Sequence, residues 1–177
     1  MEIIKIEYPD ISKLTEYQKE YICLIPSGMH LLEALEFSYR GLFKTIKNIS
    51  EESSIFTYQP YKWSIKTVIL HISDTEKVFQ YRALSISRGV RENLISFDEN
   101  EFAANSNADL LSFKKIVEDF SLTAMSLQCQ FENLREDSFN KLGKANNQIL
   151  SAAIIGFMTA GHRLHHLNTL KERYLIE

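Results

Sequence analysis

Three histidines crowd into one short stretch of the sequence, Gly161-His-Arg-Leu-His-His166, and another, His71, stands far upstream. On an α-helix His162 and His166 are one turn apart, so they stack on a single face. Two imidazoles in that register can aim ring nitrogens at a shared point about 2.0–2.1 Å from each, the usual arrangement of a helix-borne metal pair. His165 is turned by about 100° from His166 and cannot easily share that point.

A pair of imidazoles leaves a Zn²⁺-like ion short of ligands, so a third donor must come from elsewhere. His71 is the candidate, since it falls one turn after Val68, near the apolar stripe of its own segment. Asp74 and Glu76 could orient an imidazole or hold a bound water. Plainer readings stay open at this level: His71 as a hydrogen-bonded helix residue, and HxxxH as a spacing that arises by chance. The spacing resembles HExxH, but Arg163 occupies the glutamate position, so the general base of a zincin protease is missing.

The elements that must carry these residues read as helices. After Ile25-Pro26-Ser27, with Ser27 as an N-cap, Leu32, Leu35, Tyr39, Leu42, Ile46 and Ile49 recur on one face. A shorter helix is expected over residues 11–24, ended by Pro26. A second long helix starts at Trp63-Ser64, buries Ile65, Val68, Ile72, Phe79 and Ile86, and stops at Arg88-Gly89. In the third, capped by Asp109, Leu110, Phe113, Val117, Phe120, Ala124, Leu127, Phe131 and Leu134 alternate steps of three and four, the pattern of antiparallel bundle packing. The fourth opens near Asn146-Asn147 and runs through Ile149–Leu170. It is apolar on nearly every side up to Gly161, with Ala152, Ala153, Gly156, Ala160 and Gly161 small enough to admit a neighbouring helix closely. Strand signals are weak everywhere. The connections 50–62 and 89–108 are long, and such loops usually line a site or cover a core.

Composition narrows the function classes. The 177 residues fit one domain, 1–177, large enough to bury roughly 70% of its unfolded surface. Six Gly and three Pro suit long helices better than a loop-rich β architecture. A net charge of −3, with basic and acidic residues interleaved, disfavours nucleic-acid binding. The acidic start, Met1-Glu-Ile-Ile-Lys-Ile-Glu, predicts no secretory leader, and the apolar run Ile149–Gly161 is too short to span a bilayer. Cys23 and Cys129 form no CxxC motif or disulfide framework, in keeping with a reducing cytoplasm.

Four blocks together carry a family resemblance: Lys62-Trp-Ser-Ile-Lys-Thr-Val-Ile-Leu-His71-Ile-Ser-Asp-Thr-Glu76, Phe79-Gln-Tyr-Arg-Ala-Leu84, Phe97-Asp-Glu-Asn100 and Ala160-Gly-His-Arg-Leu-His-His-Leu167. From about Tyr21 to Tyr174 the chain resembles the DinB-like superfamily, closest to its branch of YfiT-like metal-dependent enzymes. The resemblance implies an all-α fold, a four-helix bundle of up-down-down-up type with long connecting loops. It also implies one divalent metal ion on His71, His162 and His166, with His165 beside the site. Thr67 stands where relatives often carry the Glu of a capping box, and His30 has no counterpart and reads as a surface residue.

Imidazole donors suit Zn, Ni or Fe, and Cu as well. The resemblance further implies either a metal-dependent hydrolase or a transferase that activates a low-molecular-weight thiol such as bacillithiol or mycothiol, with a small-molecule substrate and a homodimer among the expectations. A general acid or base would have to come from Asp74, Glu76 or the long loops, and Arg82 could bind an anionic group or pair with a bundle carboxylate. The alternative is a non-enzymatic, stress-related protein whose metal is a structural or regulatory clip.

Overall fold

A computed structural model describes residues 5–176. Met1 to Ile4, on which the expectation of no leader partly rests, lie outside the described residues. The expected early helix is split into a 3₁₀ turn at Ile11–Lys13 and α1 at Glu16–Ile22. Thr15 caps α1: its hydroxyl accepts the Gln18 N–H while the Gln18 side chain accepts the Thr15 N–H.

The first long helix, α2, spans Leu31–Ile46, later than the proline-serine signal suggested. Its N-cap is His30, whose backbone N–H donates to the Glu33 carboxylate at 3.1 Å, so Ser27 is not the cap. The next, α3 (Ile65–Ser87), begins as expected at Ser64, whose hydroxyl accepts the Thr67 N–H. It ends at Gly89, where φ of +93° favours glycine.

The loop 89–108 is not irregular throughout. It contains strand β1 (Asn93–Leu94) and helix α4 (Glu99–Asn105). Helix α5 (Phe113–Glu132) starts after the expected Asp109 cap: Leu110 is 85% exposed, and Asp109 instead accepts the Ser64 hydroxyl at 2.5 Å. The first amide of α5 is satisfied from afar, by the Glu51 carboxylate at 2.8 Å. Glu51 also pairs with the buried Lys66, so one side chain ties the starts of α3 and α5 together.

After the short α6 (Glu136–Phe139), Asn146-Asn147 proves to be a turn and not a helix start. Strands β2 (Leu142–Ala145) and β3 (Gln148–Ser151) form a hairpin around it, with both asparagines at positive φ, 50° and 60°. Asparagine tolerates that region because its side chain hydrogen-bonds locally. Here Asn147 and Asn93 exchange two bonds, Asn147 N–H to Asn93 Oδ1 and Asn93 Nδ2 to Asn147 Oδ1. β1 joins β2 in parallel, making a three-stranded sheet that the sequence reading did not foresee. Ser151 then caps α7 (Ala152–Arg173) by accepting the Ile154 N–H.

Side-chain pairings fix the helix directions. α2 and α7 run parallel, with Leu31 against Gly156, the Leu35 carbonyl against Arg163 and Gly41 against Leu167. α3 and α5 are also parallel, through Ser73 with Asp119 and Gln80 with Ser126. α3 and α7 are antiparallel, since Phe79 meets His162, His71 meets His166 and Trp63 meets Tyr174. Tyr39 on Phe120 closes the ring between α2 and α5. The result is a four-helix bundle of up-down-down-up order, in which α7 is wedged between α2 and α3.

That wedge explains why the first half of α7 is buried on all sides, from Ala152 to Gly161 apart from a partly open Ile154. Gly161 is required by proximity: a Cβ there would fall on the backbone carbonyl of Tyr21 in α1. One charge also lies in this apolar wedge. Arg163, 1% exposed, donates from Nε and Nη2 to the two Glu76 oxygens at 2.6 and 2.8 Å, and from Nη1 to the Leu35 carbonyl at 2.9 Å. The bidentate geometry satisfies a pair that burial would otherwise penalise heavily.

Two variants test this packing. Arg163→Met leaves the Glu76 carboxylate buried and alone, and should cost about 3–5 kcal/mol in urea unfolding. The double variant Arg163→Met/Glu76→Leu should recover most of the loss. Gly161→Ala should dislodge α1 and leave the other helices folded, measured as faster amide exchange confined to residues 16–22.

Candidate metal centre

His71 lies on α3 and His162 and His166 on α7, so the antiparallel contact of these two helices brings them together. All three offer a ring nitrogen within 4.8 Å of the others. His71 Nε2 is 3.2 Å from His162 Nε2, which is 3.0 Å from His166 Nε2. An ion with tetrahedral bonds of about 2.1 Å would separate its nitrogen donors by about 3.4 Å, so the two contacts through His162 need only a slight spreading to admit one.

The surroundings favour neutral rings. Burial, with the charge of His165 beside it, pushes His71 down to about 4. His162 and His166 are lowered well below the ordinary histidine value, first by burial and then by neighbouring imidazoles, His71 for His162 and His162 for His166. Neutral imidazoles present lone pairs, the form a metal requires. His162 is buried, while His71 and His166 are half-buried. Trp63 leans on His71 with ring centroids 4.8 Å apart, and Tyr21 meets His162 edge-on at 5.6 Å. The Nδ1 atoms of His162 and His166 are buried with no hydrogen-bond partner among the described residues.

His165 behaves as its register implies. It is exposed, packs on Tyr21 and contributes no atom to the cluster. The two carboxylates expected to orient an imidazole do not. Glu76 is taken up by Arg163, and Asp74 faces Lys77 at 3.5 Å, with burial pushing its carboxyl up. Among the described residues Arg82 makes no pair with a bundle carboxylate; it donates to the Ile95 carbonyl at 2.8 Å and stacks over Phe97.

The sequence reading missed the partners of Arg163 and the place of Tyr21. The first had a signal, a lone charge inside an apolar run of α7. The second had none, because α1 is brought to the site by tertiary packing on α7, at Gly161 and at the histidine rings.

A mainly helical bundle with an internal three-histidine cluster defines a class, and comparison with known proteins agrees with it. The sequence model of the DinB superfamily matches residues 34–170, and the chain belongs to that superfamily. No curated protein sequence matches it. Among solved structures it is similar to YfiT from Bacillus subtilis, described as a probable metal-dependent hydrolase with an unusual four-helix bundle topology. That likeness has a TM-score of 0.64 at 13% identity over 97% of this chain and 95% of the other. It is also similar to the mycothiol-dependent maleylpyruvate isomerase, with a TM-score of 0.68 at 11% identity over 78% of this chain and 58% of that one. No described helix is long and apolar enough to cross a membrane.

The histidine environment sets a pH dependence. Because folding lowers these pKa values, the unfolded chain takes up protons first. Stability is therefore full above the ordinary histidine value of 6.5 and falls as pH drops towards about 4, the value of His71 in the fold. Metal-free protein should melt at progressively lower temperature between pH 6.5 and 4, and His71→Gln should flatten that slope in a thermal scan.

Proposed function

We propose that this protein is a metal-dependent enzyme in which His71, His162 and His166 hold one divalent transition-metal ion, Zn, Ni or Fe. The observation that carries the reading is the convergence of three Nε2 atoms within 3.0 and 3.2 Å contacts, in a pocket that keeps them neutral. Three neutral donors would leave the ion its full charge and open positions, as catalytic rather than structural sites have. Held there, such an ion supplies Lewis acidity that lowers the pKa of a thiol or water towards neutrality.

The chain's own residues set the rest. His162 and Tyr21 close the inner side of the site, and the half-buried faces of His71 and His166 leave one approach for substrate. With Glu76 and Asp74 engaged elsewhere, no carboxylate among the described residues stands ready as a general base. That favours a nucleophile which needs little help once deprotonated, and a thiolate fits better than water. The reaction proposed is S-transfer from a low-molecular-weight thiol of the bacillithiol type to an electrophilic small molecule, with metal-dependent hydrolysis as the other activity of the same site. The relatives support this reading through their described metal and thiol dependence. The same reading places the protein in the cytoplasm as a single domain over 1–177, in a homodimer, with no nucleic-acid partner.

The missing base also favours a second reading, a non-enzymatic protein whose metal is a structural or regulatory clip. Elemental analysis of untagged protein should give about one equivalent of metal, lost in His162→Ala. With bacillithiol and monochlorobimane, the metal-loaded protein should accelerate formation of the C–S bond and release of chloride over the metal-free form. An untouched conjugation rate, with metal present and a lowered melting point on its removal, would favour the clip.

A further inference from the structure

A second group of polar atoms lies further along the contact of α3 with α7. Arg82 follows His71 by three turns of α3, about 16 Å along the axis, and returns to the same face. On α7, Met158 stands one turn before His162 on the shared face, and Phe79 bridges the two helices 6.4 Å from the His162 ring. Between them is a cavity of about 30 Å³ lined by Arg82, Tyr17, Phe79, Met158, Asn146 and Gln148. That is space for one small group, not for a whole substrate.

The electrostatics of this cavity are unbalanced. Arg82 is 6% exposed. Its Nη2 reaches the Ile95 carbonyl, but its buried Nε–H has no partner among the described residues. The other deeply buried cations are answered by carboxylates, Arg163 by Glu76 and Lys66 by Glu51. Arg82 has no such counter-charge among the described residues; Glu99 is near enough to act on Tyr17, yet makes no pair with it. A buried guanidinium without an anion is costly to keep, and its fork of donors matches a carboxylate. Asn146, Gln148 and Tyr17 line the same space.

We propose that Arg82 and this cavity form the binding site for a carboxylate group of the substrate, whose reacting end lies at the three-histidine cluster. The second half of that statement rests on the metal reading above; the carboxylate site does not. The size of the cavity favours a flat carboxylate over a larger tetrahedral anion. The substrate class is therefore a carboxylic acid long enough to span from Arg82 to His162, its acid end anchored and its electrophilic or thiol end presented.

The site can be probed without metal by the thermal stability of chelated protein in hexanoate or hexan-1-ol. Hexanoate should raise the melting temperature at a concentration at least about tenfold below that needed for hexan-1-ol, as a charge-assisted bond predicts. The preference should vanish in Arg82→Gln and be reduced in Arg82→Lys. Equal effects of the two ligands on the wild type would overturn the proposal, whatever happens to the variants. With metal-loaded protein, ω-mercaptoalkanoates of increasing length should bind best at an intermediate length, and their methyl esters should show no optimum. Esters that bind as tightly as the acids at every length would also overturn it. If hexanoate protects but no thiol binds, the carboxylate site stands and the metal-thiol reading fails.

Discussion

The buried contact of Arg163 with Glu76 and the Leu35 carbonyl joins three helices at one point, α7, α3 and α2. It lies one residue from His162 and five from His71, so it sets the depth and rotation at which α3 and α7 face each other. A salt bridge in such a position adds little net stability compared with apolar packing of the same volume, but it is strongly directional. Sliding α7 by one turn would strand both charges. The register that brings His71 to His162 and His166 is thus held by a penalty for every alternative register, and not by the histidines themselves.

That division of labour suits a metal-binding cluster. Three imidazoles packed at about 3 Å repel when protonated and gain little from one another when neutral. They must be held by something else until an ion arrives. The apolar wedge of α7 supplies the burial that keeps them neutral, and Gly161 lets α1 close over the inner side with Tyr21. On the other side Trp63 leans on His71, near the end of the bundle tied together by Glu51, Lys66 and Asp109.

At the other end, the segments between helices build instead of merely connecting. The hairpin β2–β3, pinned by the paired asparagines 93 and 147, places Asn146 and Gln148 beside Arg82. The loop before α4 supplies the Ile95 carbonyl and the Phe97 ring that hold the guanidinium. The contact of α3 with α7 therefore has an electron-donating cluster of neutral rings at one place and a buried cation further along. This polarity orients any ligand that carries an anionic tail.

What the sequence determined by itself was local. His162 and His166 share a face because of their spacing alone, Ser64 starts α3 and Gly89 ends it, and the three-four alternation from Phe113 to Leu134 specifies a bundle-packing helix; each depends on residues within a turn or two. The caps assigned to Ser27 and Asp109 failed for the complementary reason: a short polar side chain near a helix start is common, and which one caps depends on distant partners, Ser64 for Asp109 and Glu51 for the α5 amide. The hairpin was missed because its strands are only four residues long, and the strand that joins them in a sheet, β1, comes from about fifty residues earlier. Only the tertiary structure decided that Glu76 belongs to Arg163 rather than to a histidine, and that Arg82 is buried without a carboxylate. Those outcomes turn on which helix packs beside which and at what depth, and burial converts a charge that would cost nothing on a surface into one that must find a partner.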